Sequence, residues 1–365
     1  MKSSTMKLLF GAASALALMT SGALAGAIAP NANPISFDPG IGKVTVDGQL
    51  SGLAFYQSNA DHATLGDGDT WLDIDNALLT VQKTDGMFQF YVQGGLYSLP
   101  TVGNPYLKSN YANFAFGEVP IAYGKLQLDD NFSIEAGKLP TLIGAELAFT
   151  PQNINIERGL LWNQEPLFSR GVQANYADGP LSVSLSWNDG YYSNVWNTGS
   201  GLISYAIDSS DTLAFDASIT EGRNWYQGNE IYNLMYTYSA DPWTIGPYVQ
   251  YQHFENTKYN GYTYDDHSSE WGIGVLASYQ LDPNWSLNGR GEYEAASGNG
   301  WALEYGPKSK AWSLTVTPTY QDGIFFARGE LSYTGLSDQV YGYGFGRSGT
   351  KDNQFRAMFE TGIVL

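Results

Sequence analysis

Apolar and polar side chains alternate with a period of two along most of the chain. Phe88, Phe90 and Val92 fall on one face of their segment, while Gln89 and Tyr91 fall on the other. This alternation is typical of β-strands with one apolar and one polar face. No long segment has the 3.6-residue period of an amphipathic helix. The pattern therefore predicts an all-β protein.

The connections between these segments come in two sizes that alternate strictly. Short ones such as Asp178-Gly179-Pro180 and Asp282-Pro283-Asn284 consist of residues that form tight turns. Longer ones such as Pro100–Pro120 are polar and rich in Gly, Asn, Ser and Tyr. We place sixteen strands between them, at residues 44–57, 71–83, 87–97, 121–128, 132–139, 170–177, 180–188, 200–207, 212–220, 230–239, 243–254, 270–280, 285–294, 311–320, 324–333 and 354–365.

An even number of strands with short turns on one side and long loops on the other is typical of an outer-membrane barrel, in which the short turns face the periplasm and the long loops face outward. Alternation alone does not say which face points inward. A sixteen-stranded barrel is too wide for side chains to fill, so its interior holds water. Aromatic residues such as Tyr238, Trp243 and Trp285 flank the short turns, as expected at lipid headgroups. We therefore predict an antiparallel up-and-down transmembrane barrel with its apolar face toward lipid.

The polar face of the last strands carries charged residues that this orientation directs into an aqueous bore. The pore-lining candidates on these strands are Arg290, Glu292, Arg328, Glu330, Arg356 and Glu360. Pro247 and Pro318 fall inside two predicted strands, where each removes a donor from the hydrogen-bond ladder. We expect a bulge or a strand end at each proline.

The amino-acid composition excludes several classes of protein. The 365 residues carry a formal net charge of −18, which argues against a nucleic-acid binder because such proteins need a basic surface. The chain has no Cys, which excludes disulfides, thiolate metal sites and a cysteine nucleophile. After the N-terminus no run of 18 apolar residues occurs, which excludes a bundle of transmembrane helices.

The N-terminus has the features of an export signal. Lys2 and Lys7 precede an apolar stretch at Leu8–Met19, and Ala23-Leu24-Ala25 forms an Ala-x-Ala cleavage site. We predict that residues 1–25 are a cleaved signal and that residues 26–365 form the barrel. An N-terminal membrane anchor is the alternative. Export and the absence of Cys place the mature chain in the outer membrane of a Gram-negative bacterium.

One region of the chain resembles a known family. Residues 137–146 (GKLPTLIGAE), 153–162 (NINIERGLLW) and 165–168 (EPLF) are similar to the OmpL-like family of β-barrel outer-membrane porins. Two features depart from that family: Ser169-Arg170 replaces a frequent His-Thr, and Leu365 replaces a terminal Phe or Trp. The resemblance implies a passive channel for small solutes, without defining which ones.

The longest connection, residues 139–169, is the candidate constriction. It is unusually apolar for an outer loop, with residues such as Ile143, Phe149 and Trp162. Folding into the barrel would bury these residues, as the corresponding loop does in general porins by analogy. Packing over the rim or against a neighbouring subunit is the alternative. The charged residues that the loop would bring into the bore are Glu146, Glu157, Arg158, Glu165 and Arg170.

Three further charged residues lie on the strands that lead into this loop. Lys125 and Glu135 fall on the inward phase, whereas Lys138 falls on the outward phase and needs a bulge or a swing into the loop to reach the bore. Mixed charges along a pore set ion preference, and the acidic chain predicts a preference for cations. Alternatively, these charges pair with one another and give the pore no ion selectivity.

Other motifs carry little chemistry. Asp67-Gly68-Asp69 and Asp265-Asp266-His267 lack the spacing of a calcium loop. The three histidines, His62, His253 and His267, lie in no catalytic motif, and no Gly-x-Ser-x-Gly sequence occurs. We therefore predict no cofactor, no metal and no catalysis. A non-conducting adhesin or structural anchor remains the alternative to a porin, and a barrel-borne hydrolase is less favoured.

The expected partners follow from this location. They are outer-membrane lipid and lipopolysaccharide, the barrel-assembly machinery and small hydrophilic solutes, with no nucleic acid. Analogy with general porins suggests a homotrimer, although the sequence itself does not show one.

Overall fold

Sixteen antiparallel strands form one closed barrel. The computed structural model describes residues 27–61, 68–222, 230–254, 258–259, 262–263 and 267–365. The predicted signal at residues 1–25 therefore lies outside the described residues, as do Asp67, Asp265 and Asp266. The barrel strands are β1 (Val44–Gln57), β2 (Thr70–Lys83), β3 (Phe88–Tyr97), β4 (Ile121–Gln127), β5 (Phe132–Pro140), β6 (Phe168–Asp178), β7 (Leu181–Asn188), β8 (Thr198–Ala206), β9 (Asp211–Thr220), β10 (Glu230–Ala240), β11 (Trp243–Phe254), β12 (Ser268–Gln280), β13 (Trp285–Ser297), β14 (Lys310–Asp322), β15 (Phe325–Ser337) and β16 (Asn353–Val364).

Each strand pairs with its sequence neighbours, and the last strand pairs with the first. At this closure the N–H of Leu365 donates to the carbonyl of Gly48, with 2.6 Å between N and O. Each of the sixteen described barrel strands therefore has a partner on both sides, which a lipid environment requires because it offers no water to the backbone. The predicted barrel and its number of strands are confirmed.

The two faces of the barrel have opposite character. Outward side chains are apolar and exposed, as for Leu72, which is 84% exposed, and Leu185, which is 59% exposed. Inward side chains are polar and buried, such as Asn233, Thr315 and Glu360. A soluble barrel would show the reverse arrangement, because its apolar face would fill the core. The faces therefore match a membrane barrel with a polar interior.

Aromatic rings lie on the outer face at the level of the short turns. Trp243 contacts Tyr279 on the next strand, with 4.6 Å between ring centroids. Trp285 contacts Tyr320 in the same way at 5.1 Å. Such a row of amphipathic rings marks the boundary between lipid and water. The short turns thus lie just beyond one membrane interface.

Neither Pro247 nor Pro318 ends its strand. Pro247 is paired with Val275 on β12, but the pairing of its other side with β10 is interrupted between Met235 and Tyr238. Pro318 on β14 likewise is paired on one side only, with Leu287. A proline without an N–H is tolerated where the ladder is interrupted. The register is the same on both sides of each interruption and both strands continue, so neither proline marks a bulge or a strand end and that expectation was wrong.

A few elements lie outside the wall. Ile35–Phe37 is a short strand that pairs with residues 44–46 at the start of β1. Helix α1 (Ser109–Phe116) lies between β3 and β4, and Lys258–Tyr259 pairs with Tyr262–Thr263 beyond β11. Among the described residues, no helix combines the length and the apolar character that a membrane crossing requires.

Candidate functional site

The connection between β5 and β6, residues 141–167, lies inside the barrel; we call it the inward loop. None of its residues is exposed, although it contains only two single turns of 3₁₀ helix. Its apolar side chains pack against apolar positions of the inner wall. Phe149 contacts Tyr97 of β3 at 5.4 Å between centroids, and Ile143 clusters with Leu202 and Ile231. Hydrophobic burial therefore holds this loop in an otherwise polar bore.

Carboxylates of the opposite wall accept hydrogen bonds from backbone N–H groups of the inward loop. Glu330 on β15 accepts from Ile156 at 2.5 Å and from Glu157 at 2.9 Å. Glu292 on β13 accepts from Leu160 at 2.9 Å. A loop without regular structure needs such partners because its buried N–H groups would otherwise be unsatisfied.

Arginines of the same wall bind acceptors on the loop. Arg290 on β13 donates to the Glu146 carboxylate and to the Glu157 carbonyl, each at 2.6 Å between N and O. Arg356 on β16 donates to the Glu157 carboxylate, also at 2.6 Å. Both ion pairs are almost fully buried, so removing one partner would leave an uncompensated charge.

Arg328 on β15 links the loop to the last strand. It donates to the Asn153 carbonyl at 2.9 Å and to the Glu360 carboxylate at 2.6 Å. Thr150 in the loop lies beside the same carboxylate, 3.3 Å from its oxygen, and donates to Asp75 of β2 at 2.5 Å. The loop is thus tied to β13, β15 and β16 across the bore, and to β2 nearer its own strands.

Two glycines allow the loop to approach its partners closely. A Cβ on Gly159 would lie 2.0 Å from an oxygen of Glu292, far inside van der Waals contact. A Cβ on Gly144 would lie 1.7 Å from an oxygen of Glu165, and Gly144 also has a φ of +88° that other residues rarely adopt. The positive φ thus favours glycine at position 144, and a side chain at position 159 would force either Glu292 or the loop to shift.

Two charged residues of the loop, Glu165 and Arg158, form no ion pair with any residue that the structure describes. Glu165 accepts from Gln250 at 3.2 Å, and burial together with nearby Asp216 raises the pKa of its carboxyl well above the ordinary value. Arg158 is fully buried beside the Trp162 ring, and burial lowers its pKa to about 10. Neither its Nε nor one of its Nη atoms has an acceptor among the described residues.

A second outer connection also enters the bore, which the sequence did not indicate. We call residues 98–107 the second segment; most of them are buried. The N–H of Arg158 donates to the Pro100 carbonyl, and the N–H of Val102 donates to the Arg158 carbonyl, each at 3.0 Å. Arg356 donates to the Thr101 carbonyl at 2.5 Å. The second segment therefore lies against the inward loop and shares its anchor on β16.

The remaining site candidates lie apart from this network. Lys125 and Glu135 face each other on the inner wall of β4 and β5, with 3.7 Å between Nζ and Oε1. Lys138 donates to the Val119 carbonyl at 2.7 Å, at the outer end of its strand. Arg170 is ion-paired with Asp189 at 2.9 Å and is about a third exposed. Lys138 and Arg170 thus occupy the rim.

Open spaces in the bore border the inward loop, and two of those formed by the described residues lie toward its outer and short-turn ends. The outer one, of about 130 Å³, is lined by residues that include Asn59, Asn104 and Glu304. The one at the short-turn end measures about 660 Å³ and includes Gln49 and Thr319 in its lining. Within the described parts of the chain, no cluster of three or more His, Asp or Glu residues is arranged to hold a metal ion.

Comparisons with known proteins identify the family of the chain and proteins of similar fold. The model of a family described as "Putative beta-barrel porin-2, OmpL-like" matches residues 43–365. No curated protein matches the sequence. Among solved structures, the anion-selective porin of Comamonas acidovorans superposes with a TM-score of 0.63 and 11% identity, covering 88% of this chain and 99% of that one.

Two further structures show the same fold. OmpF of Salmonella typhi, solved with daunomycin, has a TM-score of 0.60 at 14% identity and covers 91% of this chain and 100% of its own. The channel DcaP of Acinetobacter baumannii has a TM-score of 0.59 at 12% identity and covers 90% and 99%. At these identities the likeness establishes the barrel fold and nothing finer.

Proposed function

Because the chain belongs to the OmpL-like family of β-barrel porins, we propose that it is a passive diffusion channel whose bore is narrowed by the inward loop. Family membership makes it an outer-membrane porin. The observation that carries the finer proposal is the attachment of the loop to the opposite wall, through Glu292, Glu330 and three arginines. A solute that crosses the barrel must pass this loop.

The solutes are small and hydrophilic. The inner face is lined by hydroxyl, amide and charged groups, which replace part of the hydration shell of a polar solute. Single-channel recording with the purified full chain in a planar bilayer tests the proposal, and a panel of sugars and organic ions of increasing size then measures the opening. Discrete conducting steps support a porin, whereas a persistently silent protein would favour a structural barrel or an adhesin.

We also propose that the bore prefers cations. Arg290, Arg328 and Arg356 are each bound to loop acceptors. On the neighbouring wall, neither carboxylate oxygen of Glu270 accepts a hydrogen bond from a described residue, and Glu294 lies beside it on β13. Reversal potentials in a KCl gradient should show cation preference, reduced by Glu270→Gln. A preference for chloride would contradict the proposal.

Export through a cleaved signal is part of the same proposal. Residues 1–25 combine a basic start, an apolar stretch and an Ala-x-Ala site. Mass spectrometry of the protein extracted from outer membranes should give a chain that begins at Gly26. An intact N-terminus would indicate the anchor alternative. Lipid, lipopolysaccharide and the assembly machinery are the partners that this route implies.

A homotrimer is the proposed assembly. The outer face of β6–β9 forms an apolar groove that includes Trp187, Ile203 and Phe215. OmpT of Vibrio cholerae, a structural neighbour with a TM-score of 0.60 and 10% identity that covers 88% of this chain and 99% of that one, has been solved in a trimer form. Native mass spectrometry in detergent should give three chains for each particle, and a single chain would contradict this assembly.

We propose that the barrel has no catalytic activity. His253 and His267 stack on each other at 6.4 Å between centroids, without a nucleophile in a recognised motif. His62 lies outside the described residues. Assays with phospholipid and peptide substrates should show no turnover, and hydrolysis of either would overturn this part of the proposal.

A further inference from the structure

The N-terminal segment, residues 27–34, leads into the short-turn end of the barrel. The strand Ile35–Phe37 extends the sheet beside β1, below the end of β16, and the residues before it reach the bore. Ile35 is 68% exposed, whereas Ile28 is only 7% exposed. Two isoleucines seven positions apart thus have opposite surroundings, which indicates that Ile28 occupies a specific seat.

The seat of Ile28, by which we mean its buried position against Phe326 and Val364, is apolar although the surrounding inner wall is polar. Ile28 clusters with Phe326 and Val364, which fall on the inward phase of β15 and β16. The other inward positions of these strands include Arg328, Glu330 and Glu360, so a fully buried phenylalanine among them needs an apolar partner. Ile28 supplies that partner.

Hydrogen bonds to backbone groups of the segment fix it on both sides. Gln321 of β14 bonds reciprocally with Ala29, accepting from its N–H at 2.8 Å and donating to its carbonyl at 2.9 Å. The N–H of Ile28 donates to the carbonyl of Pro151 in the inward loop at 3.1 Å. The segment therefore touches the wall and the inward loop together.

We propose that residues 27–31 form a second restriction of the bore, at the periplasmic mouth and in series with the inward loop. These residues border the open space of about 660 Å³ at this end, so they narrow the exit without filling it. Ile28 is the residue that holds the restriction in place. The inference rests on the proposed channel function, because a restriction matters only where solute flows.

Single-channel conductance of the full chain tests this restriction. Ile28→Asn replaces the apolar side chain by a neutral polar one that does not fit the seat, which releases the segment without adding charge. If the two restrictions have comparable resistance, conductance rises about twofold. The matched control, Ile35→Asn, alters the exposed isoleucine of the same region and should conduct like the parent protein. An Ile28→Asn channel with the parental conductance would overturn the inference.

Thiol labelling tests the seat independently of conduction, because the native chain has no Cys. In the folded barrel, Ile28→Cys should react with a bulky maleimide much more slowly than Ile35→Cys. Equal rates would show that Ile28 is not seated and would overturn the inference, even if the protein conducts. Protection of Ile28→Cys in a barrel that never conducts would instead contradict the channel function and leave the segment as a plug.

Discussion

The glycine at position 159 sets how closely the inward loop can approach the wall. A methyl group there would collide with Glu292, which also accepts from Tyr248 at 3.1 Å and from Ser313 at 2.8 Å. The carboxylate therefore has little freedom to move aside. A methyl group at position 159 would therefore displace the loop rather than the wall.

We predict that Gly159→Ala loosens the inward loop. Losing the buried hydrogen bonds to Glu292 should cost about 1–3 kcal/mol, and single-channel conductance should rise or fluctuate. Gly199→Ala is the control, because a methyl group on that glycine of β8 meets no atom within 4 Å. A steady parental conductance for Gly159→Ala would show that the loop does not depend on this contact.

Glu165 makes the loop sensitive to pH. Burial is the largest cause of the raised pKa of this carboxyl. The nearby carboxylates raise the pKa further; they are Asp216, Glu146, Glu292 and Glu270. The folded protein therefore holds the proton to a higher pH than the unfolded chain does. Its contribution to stability is greatest in acid and declines as the pH rises above the unfolded pKa toward the folded one.

Glu165→Gln should therefore stabilise the barrel more at pH 8 than at pH 5. The substitution keeps an amide in place of the protonated acid and removes the cost of ionisation. The temperature at which the folded protein loses its fast migration in SDS gels measures the difference from the parent at each pH. An equal shift at both pH values would mean that Glu165 does not titrate in this range.

At the scale of elements, the strands were predictable because their signal is local. β1 and β11 begin and end where the alternation of the sequence does, at Val44–Gln57 and Trp243–Phe254. β13 runs to Ser297, three residues beyond its predicted end, since Ala295 and Ala296 carry no polar alternation. The short turns were recognisable for the same reason, from their Asp, Asn, Gly and Pro residues.

The positions of the loops could be predicted only in part from the local sequence. The apolar content of residues 139–169 pointed to a buried position, and that stretch was the candidate constriction. Residues 98–107 have the composition of a solvated loop, and their place against Arg158 and Arg356 depends on partners far away in sequence. The ties of Asp75 to Thr150 are equally non-local. Only the closed barrel brings these groups together.

The outward face of β12 provides a test of lipid exposure. Ile273 is 44% exposed in the middle of this strand. Ile273→Arg should destabilise the barrel by about 2–4 kcal/mol, because the charge enters the hydrocarbon layer. Leu281→Arg, in the short turn that follows, should cost about 0–1 kcal/mol near the interface. Unfolding by urea in lipid vesicles measures both, and equal costs would contradict the assigned depth.

At the scale of the whole molecule, three chain segments share one bore. The inward loop occupies its middle, the second segment lies against it on the outer side, and the N-terminal segment enters from the short-turn end. A barrel of sixteen strands alone would leave a wide channel. We therefore expect the permeability of the bore to depend on these three segments more than on the side chains of the barrel wall.

The most direct test of this account compares the single-channel conductance of the full chain with that of a variant that lacks residues 145–165. The parent protein should open in discrete steps. The shortened protein, with the wall charges of Arg290, Glu292 and Glu330 released into water, should conduct more in each step. An unchanged conductance after removal of the loop would contradict the account.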